Sequence, residues 1–213
     1  SVFRAIRRNR LTFDLVHSHG LDPDGDTAVR IGAHFRVPSV VHVHDSYLEE
    51  ACLRNRRRMD AIMRRASMVV PVSDFQGSIL KRFYRDCAEK IVTVYNGVDT
   101  AKFRLPDRAA PGAAGERRAV FVGNLIDVKG VDILIRAMRL LKGKMNLTLD
   151  IYGNGPGAKR YKDLVEREGL SDRISFRGPI DHDRLPETLA RYTFLVLPSR
   201  HETFGIVLVE AMA

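Results

Sequence analysis

Tryptophan is absent from the 213 residues, and cysteine occurs only twice, at Cys52 and Cys87. Two distant cysteines in helix-like contexts make neither a disulfide framework nor a metal cluster, so a reduced, cytosolic setting is the default. No window approaches the roughly 18 consecutive apolar residues of a membrane-spanning helix, and no secretory leader is visible. An initiating methionine is also missing. Ser1 opens on a helix-like, Arg-rich stretch and Ala213 falls inside an apolar helical run, so both ends read as cut and the chain as a fragment. Acidic residues are in the minority, 26 against 35 Lys and Arg, which leaves a net charge of +9. Such a balance favours anionic partners. Its densest cluster is Arg54, Arg56, Arg57, Arg58, Arg64 and Arg65. Two readings stay open there: a solvated helix face, or a patch for an anionic membrane surface or an acceptor phosphate. No basic groove with interleaved aromatics appears, so nucleic acid is not expected.

What is present is an alternation of strand-like and helix-like segments. Asp14–Ser18 reads as a strand, followed by a helix through about Phe35. Ser39–His44 is the next strand, and a long basic helix then runs to about Ala66. Met68–Val72 is a strand, and Ser73 caps a helix to about Tyr84, its side-chain oxygen meeting a free amide of the first turn. Ile91–Tyr95 is a further strand, ending at Asn96-Gly97. Leu105–Gly115 breaks the pattern with prolines, glycines and alanines and no apolar period. That places a linker at 105–117 between an N-terminal domain, 1–104, and a C-terminal one, 118–213.

The alternation then restarts. Strands are expected at Ala119–Gly123, Leu147–Tyr152, Ile174–Arg177 and Phe194–Pro198. Helices are expected at about Val131–Leu141, Ala158–Glu168, Arg184–Arg191 and from Gly205 onward. Repeated β-α-β units with apolar strands imply parallel sheets covered by helices. The fold class is therefore α/β, with two Rossmann-like halves facing a cleft. Ligands in such folds bind beyond the C-terminal strand ends, where loops meet helix N-termini.

Three loops of the second half lie at such ends. Gly123-Asn124-Leu-Ile-Asp-Val-Lys129-Gly130 joins a strand to a helix between two glycines. Glycine allows a ligand close to the backbone, helix amides favour an anion, and Lys129 adds a charge. An ordinary βα turn with an exposed lysine fits the same spacing. Tyr152-Gly-Asn-Gly-Pro156 contains a G-x-G but lacks the third glycine and the acidic ribose residue of a dinucleotide site. A tight turn explains it equally well. Pro198-Ser-Arg-His-Glu202-Thr-Phe-Gly205 leads into a helix carrying Glu210. Carboxylates accept hydrogen bonds from vicinal hydroxyls such as those of hexose and ribose rings. An exposed helix glutamate is the plainer reading of Glu210.

Taken together, these segments resemble a known family. Glu202-Thr-Phe-Gly-Ile-Val-Leu-Val-Glu210 matches the E-x7-E motif of retaining glycosyltransferases of the GT-B fold, most like glycosyltransferase family 4. Asn96-Gly-Val-Asp99-x-x-x-Phe103, Val122-Gly123 through Lys129-Gly130, and Leu197-Pro-Ser-x-x-Glu202 match in order over nearly the whole chain. The resemblance implies that Glu202 holds hydroxyls of the donor sugar and Glu210 the ribose of the nucleotide. Phe204, Gly205 and Ile206 would offer amides to the diphosphate, and Lys129 would stabilise its developing charge, with Gly123 and Asn124 lining the donor loop. The family often has arginine where this chain has Asn124, which leaves two readings open: weaker phosphate binding, or another cation, Arg200 or Lys159, in its place.

In the first half, His17, His19, His42 and His44 stand at the ends of two strands as His-Ser-His and His-Val-His. Without nearby cysteine or a convincing further ligand no metal is expected. Structural roles are expected for His17 and His42, buried in strand interiors. By resemblance, His44 would contact the donor sugar or acceptor and assist proton movement, with Asp45 and Glu49 orienting it. His19 and Asp45 are acceptor-side candidates.

The resemblance thus implies transfer of a sugar from a UDP or GDP donor to an acceptor hydroxyl, with retention. No cofactor is expected beyond the donor substrate. The setting would be a bacterial cytoplasm, peripheral at the inner membrane face, in glycan, lipid-linked saccharide or exopolysaccharide synthesis. The alternatives are a catalytically silent sugar-nucleotide-binding fragment and a sugar-nucleotide epimerase.

Overall fold

A computed structural model describes residues 2–104 and 117–213. The chain divides into two compact units, Ser1–Asn96 and Gly97–Ala213. The expected linker, apart from Arg117, lies outside the described residues.

The first unit begins with helix α1 (Val2–Arg8), strand β1 (Val16–His19), helix α2 (Asp24–Phe35) and strand β2 (Ser39–Val43). Asp24 and Asp26 in the first turn of α2 suit the positive end of its dipole, and Arg36, in the left-handed region at φ 59°, stops it. Helices α3 (Leu48–Arg54) and α4 (Arg56–Arg65), strand β3 (Met68–Pro71) and helix α5 (Asp74–Phe83) follow. The expected long basic helix is thus two helices, broken at Asn55, whose backbone (φ −115°, ψ 40°) is not helical. The break lets Asn55 and Arg58 both bond Asp22, Arg58 at 2.7 Å. As expected, Ser73 Oγ caps α5, accepting from the Gln76 amide at 3.4 Å.

The three strands are parallel in the order β1-β2-β3. Ile91 extends the row by one bridge to Val69, and the amides of Val92 and Val94 donate to Val69 and Pro71. The expected strand at Ile91–Tyr95 is therefore an irregular edge. Val41, Val43 and Val69 pack with Val29, Met59, Ile62 and Met63 in a core beneath α2 and α4.

The second unit contains β4 (Arg117–Val122), α6 (Val131–Leu141), β5 (Leu147–Tyr152), α7 (Ala158–Arg167), β6 (Ile174–Gly178), α8 (Leu185–Leu189), β7 (Phe194–Leu195) and α9 (Ile206–Met212). Val131, Leu134, Ile135 and Met138 recur at helical spacing and bury one face of α6. With Phe121, Leu149, Ile151, Tyr161 and Val165 they form a second core. All four strands are parallel, in the order β6-β5-β4-β7. The chain steps outward from β4 through β5 to β6, then returns to the other side of β4 as β7. Sheet order therefore reverses between β4 and β7, and at such a point the loops leaving the two strands part and open a crevice.

Among the described residues no helix is long and apolar enough to cross a membrane.

Candidate functional site

The loops after β4 and β7 flank this reversal, and they are stitched together. The Arg200 amide donates to the Val128 carbonyl at 2.7 Å, and the Arg200 guanidinium donates to the Asp127 carbonyl at 2.6 Å. Gly130 holds φ at 66°, and a Cβ there would lie 2.0 Å from the Pro198 carbonyl oxygen. Only glycine lets the two loops pass this closely. Two ion pairs cross the reversal, Lys129–Glu202 and Arg200–Asp132. Lys129 Nζ donates to Glu202 Oε2 at 2.7 Å, and Ser199 Oγ donates to the same oxygen at 3.0 Å. Lys129 and Glu202 are both half-buried, so solvent screens the pair only in part.

Gly205, in the left-handed region at φ 76°, turns the chain into α9. The first amides of a helix have no intrahelical partner. Those of Gly205 and Ile206 stand at this start, with Phe204 just before it. Glu210 follows on α9 and is 8% exposed, which excludes the reading of a solvated helix glutamate. His182 Nε2 donates to Glu210 Oε1 at 2.8 Å. That geometry leaves His182 Nδ1 as an acceptor for Lys102 Nζ at 3.2 Å, while Asp183 holds Lys102 at 2.6 Å. The Phe103 ring lies 5.4 Å from the His182 ring.

The last residues of the Asn96–Phe103 motif thus support Glu210 through His182. Sequence reasoning missed this histidine. A lone loop histidine has no spacing signal, and the only hint was Phe103, whose place in the motif had no assigned task.

Gly123 and Asn124 lie in the loop after β4, with Asn124 exposed. Both candidate replacement cations are paired with carboxylates. Arg200 makes a two-pronged bond to Asp132, at 2.9 and 2.7 Å, and this pulls the Asp132 carboxyl below its usual range. Lys159 is exposed on α7 and pairs with Asp163 at 3.0 Å. The G-x-G of the second loop answers to packing. Gly153 (φ 140°) and Gly155 (φ 156°) run against the first loop, where a Cβ would lie 1.9 Å from the Gly123 oxygen and 2.7 Å from the Leu125 oxygen respectively.

In the first unit the four histidines form one group. Neighbouring ring centres are 4.3 to 5.7 Å apart. His19 Nδ1 and His44 Nε2 are 3.1 Å apart. His19, rather than Asp45 or Glu49, is therefore the ring partner of His44. Asp45 Oδ2 accepts from the Leu21 amide at 3.3 Å, and Glu49 is bonded to Arg82. Burial, then the neighbouring histidines, lowers the pKa of His42 below its ordinary value. Burial, then His19, lowers that of His44. Burial raises that of Asp45.

Contrary to the expectation from the sequence, His17 is not buried in its strand. It is exposed, and His42 is only half-buried. Both face away from the core, because Ser18, Val41 and Val43 take the covered side of the sheet.

Residues 105–213 match the family model "Glycosyl transferases group 1", and residues 1–102 match "Glycosyltransferase Family 4". The D-inositol 3-phosphate glycosyltransferase of Nocardia farcinica is 29% identical over 94% of this chain and 49% of its own length. Two solved structures share the fold over 99% of the chain. Sucrose-phosphate synthase of Thermosynechococcus elongatus does so with TM-score 0.79, 23% identity and 56% of its own chain covered. Anabaena HepE in complex with UDP and glucose does so with TM-score 0.78, 24% identity and 59% covered. The chain spans about a third to a half of the length of the curated relatives it matches, for instance 53% and 34%. A family model that accounts for more than half of the chain, together with parallel-sheet units of the GT-B type, places this protein in the glycosyl transferases group 1 family.

Proposed function

We propose that the protein transfers a sugar from a nucleoside diphosphate sugar to an acceptor hydroxyl, with retention at the anomeric carbon. The observation that carries this is the Lys129–Glu202 pair at the strand-order reversal, beside the glycine-led start of α9. Lys129 and the amides of Phe204, Gly205 and Ile206 receive the diphosphate. Glu202 accepts hydrogen bonds from sugar hydroxyls, and Glu210, held by His182, accepts them from the ribose. In the transition state, negative charge gathers on the leaving diphosphate. A cation fixed there in a partly dry site stabilises that charge at little reorganisation cost. The acceptor oxygen attacks the face the nucleotide leaves, and the departing diphosphate takes up the acceptor proton. This route uses no protein nucleophile, and the donor charge is met without a metal ion. His44, its pKa lowered by burial and then by His19, serves the acceptor side with His19 and Asp45.

UDP is the first base to test, since HepE is similar in fold and its complex contains UDP and glucose. GDP is the second. We place the protein in the bacterial cytoplasm, at the inner membrane face, extending a glycan, lipid-linked saccharide or exopolysaccharide. Calorimetric titration of the full-length protein with UDP, GDP and their sugars tests the donor reading. One nucleotide should bind in the micromolar range, and Glu210→Ala should abolish that binding. A folded protein that binds neither nucleotide would overturn the reading.

A further inference from the structure

We propose that His17, His19 and His42 form a binding site for a divalent transition-metal ion of the zinc class, on the open face of the first sheet. The proposal goes beyond glycosyl transfer and does not depend on it.

Parallel pairing sets His19 directly beside His42, and two-residue periodicity puts His17 on the same face as His19. One ring nitrogen from each of the three lies within 4.8 Å of one from each of the others. Nitrogens around a tetrahedral zinc ion, each at roughly 2.0–2.1 Å, are spaced roughly 3.4 Å apart. His17 and His19 are both exposed, so their rings have room to turn toward that spacing.

Two further observations point to a ligand. His42 Nε2 is buried and has no hydrogen-bond partner, although buried ring nitrogens normally find one. A coordinated cation would satisfy it. His19 Nδ1 is 3.1 Å from His44 Nε2. With its proton on Nδ1, His19 donates to His44 and turns the Nε2 lone pair outward. Metal-bound imidazoles are commonly held in this way, by a bond from the nitrogen that does not ligate.

The chemistry of the donors selects the ion. Three imidazoles suit zinc, nickel and copper, whereas magnesium and calcium require oxygen ligands. Three protein ligands also leave a fourth position for water or another small ligand.

The test is calorimetric titration of the chelator-treated, full-length protein with zinc sulfate, with magnesium chloride in parallel. Thermal melts run beside it. One equivalent of zinc should bind in the micromolar range and raise the melting temperature, and magnesium should do neither. His17→Gln and His42→Gln should each weaken zinc binding by more than the roughly 10- to 100-fold that loss of an outer-shell partner costs. The cobalt(II) form should show visible bands of low-coordinate geometry that His17→Gln removes. His17 is exposed, so this variant decides the matter even if His42→Gln folds poorly. Zinc binding unchanged in His17→Gln, or no binding by the folded parent protein, would overturn the proposal.

Discussion

A methyl group on Gly153 would collide with the backbone of Gly123, and one on Gly130 with that of Pro198. Neither neighbour is a side-chain tip that can swing aside, and both glycines hold positive φ. Gly130→Ala and Gly153→Ala should therefore each destabilise the second unit by about 3 kcal/mol or more, measured by denaturant titration. Lys129→Ala acts differently. With its charge gone, kcat should fall by roughly 10²- to 10³-fold while the melting temperature changes little. His182→Ala should raise KM for the donor a few-fold, up to about tenfold, and leave kcat near its parent value, since it removes a hydrogen bond to Glu210. An equal fall in kcat would instead place His182 in the chemistry.

Arg200→Ala breaks the bond to Asp132. The Asp132 carboxyl is depressed in the folded state, so the bond's contribution is complete above the unfolded value, near 3.8. It is lost as pH falls through the depressed value. The destabilisation in Arg200→Ala should therefore be constant between pH 5 and 8 and shrink on acidification below 3.8.

At the scale of elements, α6 at Val131–Leu141 and β5 at Leu147–Tyr152 were legible to the residue. Each combines a strong apolar pattern with a clear stop. The break between α3 and α4 was not legible. Cys52 on one side and Met59, Ile62 and Met63 on the other bury one continuous apolar face across Asn55. What divides them is a distant aspartate, Asp22, that no local pattern reveals. The frayed ends of the edge strands were hidden for a similar reason. Strand length depends on the partner's length, and the amide of Val196 still donates to Val120 beyond the end of β7. The motif loops were legible because their glycines and acids recur at fixed spacing. The partner of Glu210 was not, since His182 comes from another loop.

The basic helices carry their own prediction. Arg54 pairs with Glu50 and Arg58 with Asp22, whereas Arg56, Arg57, Arg64 and Arg65 are exposed. If α4 meets an anionic membrane, replacing those four by glutamine should reduce co-sedimentation with anionic vesicles. Each charge near such a surface contributes about 1 kcal/mol. Sedimentation unchanged by the replacement would assign the cluster to solvation alone.

Across the whole molecule, each unit has its own core. Met59 and Ile135, both fully buried, lie in separate cores. Truncating either to alanine should cost about 2–5 kcal/mol. Scanning calorimetry should resolve two transitions, with Met59→Ala lowering one and Ile135→Ala the other. A single transition lowered equally by both would mean that the units unfold as one.

If the Lys129–Glu202 pair receives the donor as proposed, it also sets terms for what enters and how it leaves. As folded, the cation that would meet the diphosphate and the carboxylate that would meet the sugar satisfy each other. Inorganic diphosphate alone, or a free hexose alone, would have to part them and strand one partner. On the proposed reading a nucleotide sugar would replace both contacts at once, so it should bind more tightly than the nucleotide alone. After transfer, on the same reading, the sugar would be gone from Glu202, and the freed carboxylate would compete with the bound diphosphate for Lys129. On that reading Glu202 would act as a displacing anion after each transfer.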